Sequence, residues 1–151
     1  MSGTPMTDHA SFMAKAYDQA FESYKSGGVP VGSVLVRGGE IVSAGHNQRV
    51  QQSDPIAHGE MDCLRKAGRQ RSYRDTVIYT TLSPCMMCTG TIILFKIPTV
   101  VIGECVNFGG NEQLLRDHGI DVIDLNDPTC IDLMARFIRE RPDIWNEDIA
   151  E

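Results

Sequence analysis

Ser83-Pro84-Cys85-Met86-Met87-Cys88, taken with His58-Gly59-Glu60 some two dozen residues earlier, is the part of the chain from which the rest can be read. The two stretches spell H-x-E and P-C-x-x-C. Together they supply one imidazole, two thiols three residues apart and one carboxylate. A catalytic zinc ion takes three protein ligands of these types and leaves its fourth position to water. His58, Cys85 and Cys88 make the three ligands, and Glu60 remains as an acid free to move protons. Thiolates also favour zinc over the harder divalent ions.

The spacing makes sense at helix starts. Pro84 suits a first turn, where no backbone donor is needed. The run from Cys85 through Thr89, Ile92, Ile93 and Phe95 predicts a buried helix, on which Cys85 and Cys88 share one face. Ala57 to Leu64 predicts a second helix ending near Gly68. His58 and Glu60, two apart, would diverge along a helix flank. At a helix N-terminus both can reach a target just beyond the axis, where the partial positive charge favours thiolates and an ionised carboxylate. The motif thus predicts two helix starts facing a single ion. Competing readings are a redox pair or two buried cysteines. A structural zinc site would need a fourth protein ligand, and Cys63, Cys105, Cys130, His46 and His118 are candidates by type without tight spacing to the motif.

The bulk composition sets bounds on all this. A chain of 151 residues is one domain by length, and its 42% hydrophobic content is ordinary for a globular protein. The net charge of −6 opposes polyphosphate binding unless a local patch overrules it. Arg65, Lys66, Arg69, Arg71 and Arg74 do cluster, but with Tyr73 as the one interleaved aromatic they read as a solvated helix end and loop. Five cysteines, two of them claimed by the motif, point to a reducing compartment. Cys63, Cys105 and Cys130 read as small core residues. Residues 1–10 show no secretory pattern, and the apolar region from Thr91 to Val106 is broken by Lys96 and Pro98, so no membrane span is expected. A cytoplasmic location follows.

In chain order, Met1 to Met6 reads as a frayed end. Thr7 or Asp8 then caps a helix with apolar positions Met13, Ala16, Tyr17, Ala20, Phe21 and Tyr24, stopped at Gly27-Gly28. Val31 to Val36 and Glu40 to Ser43 form a hairpin about Gly38-Gly39. Asn47 reads as a turn residue, or as an amide able both to donate to and accept from a heterocycle edge. Thr76 to Thr80, Thr99 to Ile102 and Asp121 to Leu125 are strands. Asn111 caps a short helix to Asp117, and Asp127-Pro128 opens a longer one that breaks at Arg141-Pro142, leaving a tail. Five strands alternating with helices imply an α/β fold: a three-layer α/β/α sandwich around a central mixed five-stranded sheet, with right-handed crossovers.

With that order in view, the chain resembles the cytidine deaminase-like superfamily, and within it the small fungal-type, free-base cytosine deaminases. The likeness runs through Gly28-Val29-Pro30-Val31-Gly32, Gly45-His46-Asn47, His58-Gly59-Glu60, Thr80 to Cys88, Val106-Asn107-Phe108 and Arg141-Pro142 to Ile149. H-x-E with P-C-x-x-C is the zinc deaminase signature, in which the glutamate is not a ligand. The resemblance implies zinc, one ion per chain, on His58, Cys85 and Cys88, with Glu60 as proton shuttle. It implies that Asn47 and Asp148 hydrogen-bond the pyrimidine, that Phe108 and Trp145 wall the ring, and that Val31 and Leu82 fill apolar sides. Gly59 and the backbone of Ser83 would touch the base, and a homodimer is implied. Met86 stands where the fungal enzymes carry an acidic residue, a departure expected to change pocket shape or local charge.

The expected reaction is hydrolytic removal of the amine of a free pyrimidine, cytosine giving uracil and ammonia. The alternatives are deamination of another small base such as isocytosine or guanine, editing of a nucleic acid, and a noncatalytic zinc module. Editing would need a basic track with stacking aromatics, which the acidic balance opposes. A buried Asp148 would need a donor from its ligand, so the tail of the empty protein is expected to be a mobile lid.

Overall fold

The computed structural model describes residues 6–151. Of the frayed end expected at Met1 to Met6, all but Met6 lies outside the described residues. Met6 already belongs to the first helix, α1 (Met6–Lys25), so Thr7 and Asp8 are not caps; Asp8 sits within its first turn. Next come the hairpin strands β1 (Gly32–Arg37) and β2 (Glu40–His46), joined at Gly38 and Gly39 with φ of 57° and 79°. Such left-handed angles at both central residues are what a two-residue hairpin turn of this twist requires. β2 runs three residues past Ser43, because Ala44, Gly45 and His46 go on pairing with Val34, Ser33 and Gly32.

The remaining elements are α2 (Gly59–Ala67), β3 (Thr76–Thr80), α3 (Met86–Phe95), β4 (Thr99–Ile102), α4 (Glu112–Asp117), β5 (Asp121–Asp124), α5 (Pro128–Glu140) and α6 (Pro142–Asp148). One sheet has the order β2-β1-β3-β4-β5. β1 is antiparallel to β2 and to β3, and β3, β4 and β5 run parallel. The mixed five-stranded sheet is as expected. α6 was read as a mere tail. Pro142 does end α5, but proline is equally at home in a first turn, and a new helix starts on it.

Alternation along the strands divides the core into two sides. Leu35, Ile78, Val100 and Ile102 face one way and pack with Cys63 of α2, Ile92 of α3 and Leu115 of α4. Val34, Val36, Tyr79 and Val101 face the other way onto Met13 and Ala16 of α1 and Cys130 of α5. With both faces covered, the sheet is the middle of three layers, as parallel strands demand. A third cluster, Val29, Val31, Leu82, Met134, Phe137 and Trp145, sits beyond the strand ends.

Two smaller expectations change. Cys63 and Cys130 are buried, but Cys105 is half-exposed, and its thiol donates to Asp124 at 3.0 Å. That carboxylate pushes the Cys105 thiol up to about 11. The basic cluster is solvated as expected: Arg65 pairs with Asp54 at 3.6 Å and Lys66 with Asp62 at 2.9 Å, while Tyr73 is buried against Phe95. Among the described residues no helix is long and apolar enough to cross a membrane.

α1 is tied to the sheet by the buried ring of His9, whose Nδ1 lies 2.7 Å from the Tyr79 hydroxyl. Burial pushes the His9 pKa below its ordinary 6.5, against the opposing charges of Asp8 and Asp121. The unfolded chain therefore binds this proton more readily than the fold does, and stability falls as pH drops below about 6.5 until the buried ring itself titrates. His9→Gln should flatten the decline of the urea midpoint between about pH 7 and about pH 5. Equal slopes in the two proteins would remove His9 as the cause.

Candidate active site

The register of the strands gathers the site. Ser33 of β1 lies opposite both Gly45 of β2 and Thr80 of β3, so Val31, Asn47 and Thr81 emerge together at the carboxyl end of the parallel strands. In open α/β sheets this is the end where ligands bind. The amide of Asn47 donates to the Val31 carbonyl at 2.9 Å, closing that corner. α2 and α3 both start here, with His58 and Cys85 in extended conformation as the residues that precede each helix. Two helix starts at one point is the arrangement that the motif spacing predicts. Gly59 is held to its identity by a close approach: a Cβ there would lie 2.8 Å from the Val31 carbonyl oxygen.

His58, Cys85 and Cys88 bring one ligand atom each within 4.8 Å of one another. Cys85 Sγ is 3.4 Å from His58 Nδ1 and 3.6 Å from Cys88 Sγ. Around tetrahedral zinc at its usual bond lengths, two sulfurs stand about 3.8 Å apart and a sulfur and a nitrogen about 3.6 Å. The donor set therefore fits zinc by type and by spacing. Among the described residues no fourth His, Cys, Asp or Glu joins the group. Cys63, Cys105, Cys130, His46 and His118 all stay out, which leaves the closed structural site without its ligand. Glu60 is buried beside the group but is not one of its donors.

The protons of this cluster are unevenly shared. The hydrogen bond with Cys88, aided by His58, takes the Cys85 thiol down to about 4 against its burial, while Cys88, bonded to Cys85 and deeply buried, is raised well above an ordinary thiol. Burial alone would lower His58; the bond to Cys85 and the charges of Asp148, Cys85 and Glu60 carry it up to about 9. Glu60 is pushed up to about 7 by burial and the Cys85 charge, opposed by His58 and a hydrogen bond with Thr80. An ion entering such a set displaces protons from it.

A cavity of about 20 Å³ adjoins the cluster, lined by Val31, Asn47, His58, Gly59, Glu60, Leu82, Ser83, Cys85, Phe108, Trp145, Asp148 and Ile149. The structure thus gathers every residue picked from the sequence, with Cys88 beside the cavity as the remaining thiol. Ile149 was not foreseen as a lining residue, although it closes the terminal motif. Phe108 and Trp145 meet edge to face, ring centres 6.0 Å apart at 88°. Asn47 behaves as the turn residue of its first reading, Oδ1 accepting from Arg49 N at 2.9 Å, while Nδ2 lines the cavity and donates to Asp148 Oδ1 at 3.0 Å. The tail expected to be a mobile lid is largely the helix α6, here set against the cavity. The donor that a buried Asp148 needs comes from Asn47, with His58 Nε2 3.6 Å away. Burial raises the Asp148 pKa, opposed by His58 and Asn47. Arg49, which sequence reading passed over, pairs with Glu147 and fastens the helix from outside. Met86 is 62% exposed and lines no part of the cavity, so the expected effect on pocket shape is not seen.

Comparison with known proteins agrees with this geometry. Residues 6–104 match the family described as the cytidine and deoxycytidylate deaminase zinc-binding region. A cytosine deaminase of Candida albicans is 53% identical over 139 residues, covering 90% of this chain and 93% of its own. A tRNA-specific adenosine deaminase of Streptococcus pyogenes is 33% identical over 147 residues, covering 89% and 92%. Among solved structures, a tRNA deaminase acting at the wobble position superimposes with a TM-score of 0.70 at 26% identity over 78% of this chain and 98% of that one. The guanine deaminase of Bacillus subtilis gives 0.58 at 27% identity, over 89% and 76%. With the matched family spanning well over half its length, and three residues placed to hold a metal ion, this chain belongs to the zinc-binding cytidine and deoxycytidylate deaminase family.

Proposed function

We propose that the protein hydrolytically deaminates a free pyrimidine base, cytosine to uracil and ammonia, and that it acts as a single domain in the cytoplasm. The observation that carries this reading is a three-donor zinc cluster next to a buried carboxylate that stands outside it, inside a cavity walled by two aromatic rings. Identity of 53% to a cytosine deaminase over most of both chains supports the choice of base. Five free thiols suit a reducing compartment.

His58, Cys85 and Cys88 would hold zinc, which when bound would supply a nucleophile at neutral pH by lowering the pKa of water. The chain does the rest. Glu60 accepts a proton from the water and delivers it to the ring nitrogen beside the amine-bearing carbon. The water oxygen bonds to that carbon, a second proton passes through Glu60 to the amine, the carbon–nitrogen bond breaks and ammonia leaves. Asn47 and Asp148, already bonded to each other, keep one amide hydrogen and several lone pairs for the ring edge. Phe108, Trp145, Val31 and Leu82 exclude water from the ring faces, and the backbone at Gly59 and Ser83 approaches the base.

The closed cavity favours a small ring. At about 20 Å³ it has room for about one water on that measure. Admitting a pyrimidine therefore requires the lining to give way, and a purine would need more room. Helix α6, together with the net charge of −6, weighs against a nucleic-acid substrate. For a partner, a second copy of the chain is the best fit. Met86, Gly90 and Leu94 recur at every fourth position on the outer side of α3, with Met86 and Leu94 62% and 74% exposed, an unpartnered apolar face on a helix that is apolar all round.

Three measurements test these statements. Ammonia release from a panel of cytosine, isocytosine, guanine and adenosine should be fastest with cytosine; an inert cytosine with active isocytosine would move the substrate but keep the chemistry. Glu60→Gln should retain zinc and lose about a thousandfold or more of turnover, whereas Cys88→Ala should lose the metal by elemental analysis. A zinc-loaded Glu60→Gln protein of undiminished rate would take the shuttle role from Glu60. Leu94→Glu should sediment at half the mass of the wild type, and an unchanged mass would clear α3 of the interface.

A further inference from the structure

We propose that Glu104 is a positioning residue for the substrate ring, its buried carboxylate folding residues 104–108 so that Phe108 closes against Trp145. The inference rests on the reading of the cavity as a pocket for a free base. Glu104 follows β4 by two residues, is fully buried, and takes no part in the proton chemistry. A glutamate is almost never fully buried without partners, because an unanswered carboxylate costs too much to desolvate. Here the partners are neutral donors. Oε2 accepts the N–H of Val106 at 2.7 Å and of Asn107 at 2.9 Å, and Oε1 accepts Asn107 Nδ2 at 2.9 Å.

Those bonds tie three parts of the protein together. The same Asn107 amide donates to the Ile131 carbonyl on α5 at 3.0 Å. The backbone carbonyl of Glu104 accepts the N–H of Ser83 at 2.9 Å, so the residue also holds the loop that leads to Cys85. Two consecutive backbone donors bound to one carboxylate oxygen force a tight turn, and the next side chain in line is Phe108. Its ring sits 6.0 Å from that of Trp145, edge to face, with the cavity between them and the metal ligands. Val106, in the same turn, is left 67% exposed. The turn therefore shapes the aromatic wall more than it fills the core. Charge-assisted bonds to ionised acceptors are the strong ones, which suits a loop that must hold one ring in one place.

Kinetics and fluorescence on the full zinc-loaded chain distinguish this role from a purely structural one. Glu104→Gln keeps the size of the side chain but points donors at the Asn107 amide. Phe108→Ala removes the wall itself. Each should raise KM for cytosine by about tenfold with a smaller change in kcat, and the double variant should be no worse than Phe108→Ala alone, because both act through one ring. Trp145 is the single tryptophan of the chain, so its emission reports the wall directly, and it should shift to the red in Glu104→Gln as in Phe108→Ala. If Glu104→Gln does not fold, Asn107→Ala removes the side-chain donor to Oε1 and the tie to Ile131 while keeping both backbone donors, and should give a smaller shift in the same direction. Multiplying KM effects in the double variant, or an unmoved emission beside a lowered Tm, would overturn the proposal. The emission is read without substrate, so a wild type inert toward cytosine would sink the functional reading while leaving the brace to be judged on the red shift alone.

Discussion

Three donor atoms within 4.8 Å of one another, from residues up to thirty positions apart in the chain, are the constraint that the rest of the structure serves. They meet because two helices begin at one spot, and the helices begin there because the strands that feed them are held in register. Sliding β3 by one residue against β1 would turn Thr80 away from the site and move the start of α3 with it. The close approach of Gly59 to Val31 shows how little slack remains between the two halves. In energetic terms the apolar layers on either side of the sheet supply the rigidity, and the metal cluster draws on it.

Around that cluster lie three buried carboxylates, each stabilised differently. Glu60 is pushed up to about 7 by burial, with the Cys85 charge adding to it. Asp148 is answered by Asn47 and by the His58 ring. Glu104 has three N–H donors and is fixed in place. On the proposed reading one kind of side chain would serve as shuttle, ligand contact and brace, separated by how many donors surround it.

Much of this was legible in the sequence, for physical reasons that differ by residue. β3 and β4 are found at their expected bounds because their β-branched residues fall in short runs between clear breakers. His58, Cys85, Cys88 and Glu60 were legible because metal chemistry restricts both residue type and spacing. Phe108, Trp145 and Asp148 came only through resemblance, since a tryptophan in a tail has no local mark of function, and Asn47 could be read either as a turn residue or as a binding amide. α6 was missed because a proline that ends one helix looks the same in sequence as one that starts the next. Arg49 was missed because its partner is brought close only by the fold: Glu147 lies 98 residues beyond it. Glu104 was missed although its donors are two and three residues away, because a glutamate in a loop reads as solvated until its burial is seen. Cys105 was misjudged because nothing in its neighbours reveals that Asp124 folds back onto its thiol.

The fit of α6 over the cavity has one more consequence. With Trp145 buried and Asp148 bonded across to Asn47, the helix leaves little free space beside the metal-ligand cluster. A base still joined to its sugar would hold the door ajar through the whole cycle, leaving the nucleophile in bulk water. On the proposed reading, that fit would favour a bare base over one that carries a sugar, before any bond to nitrogen is tested.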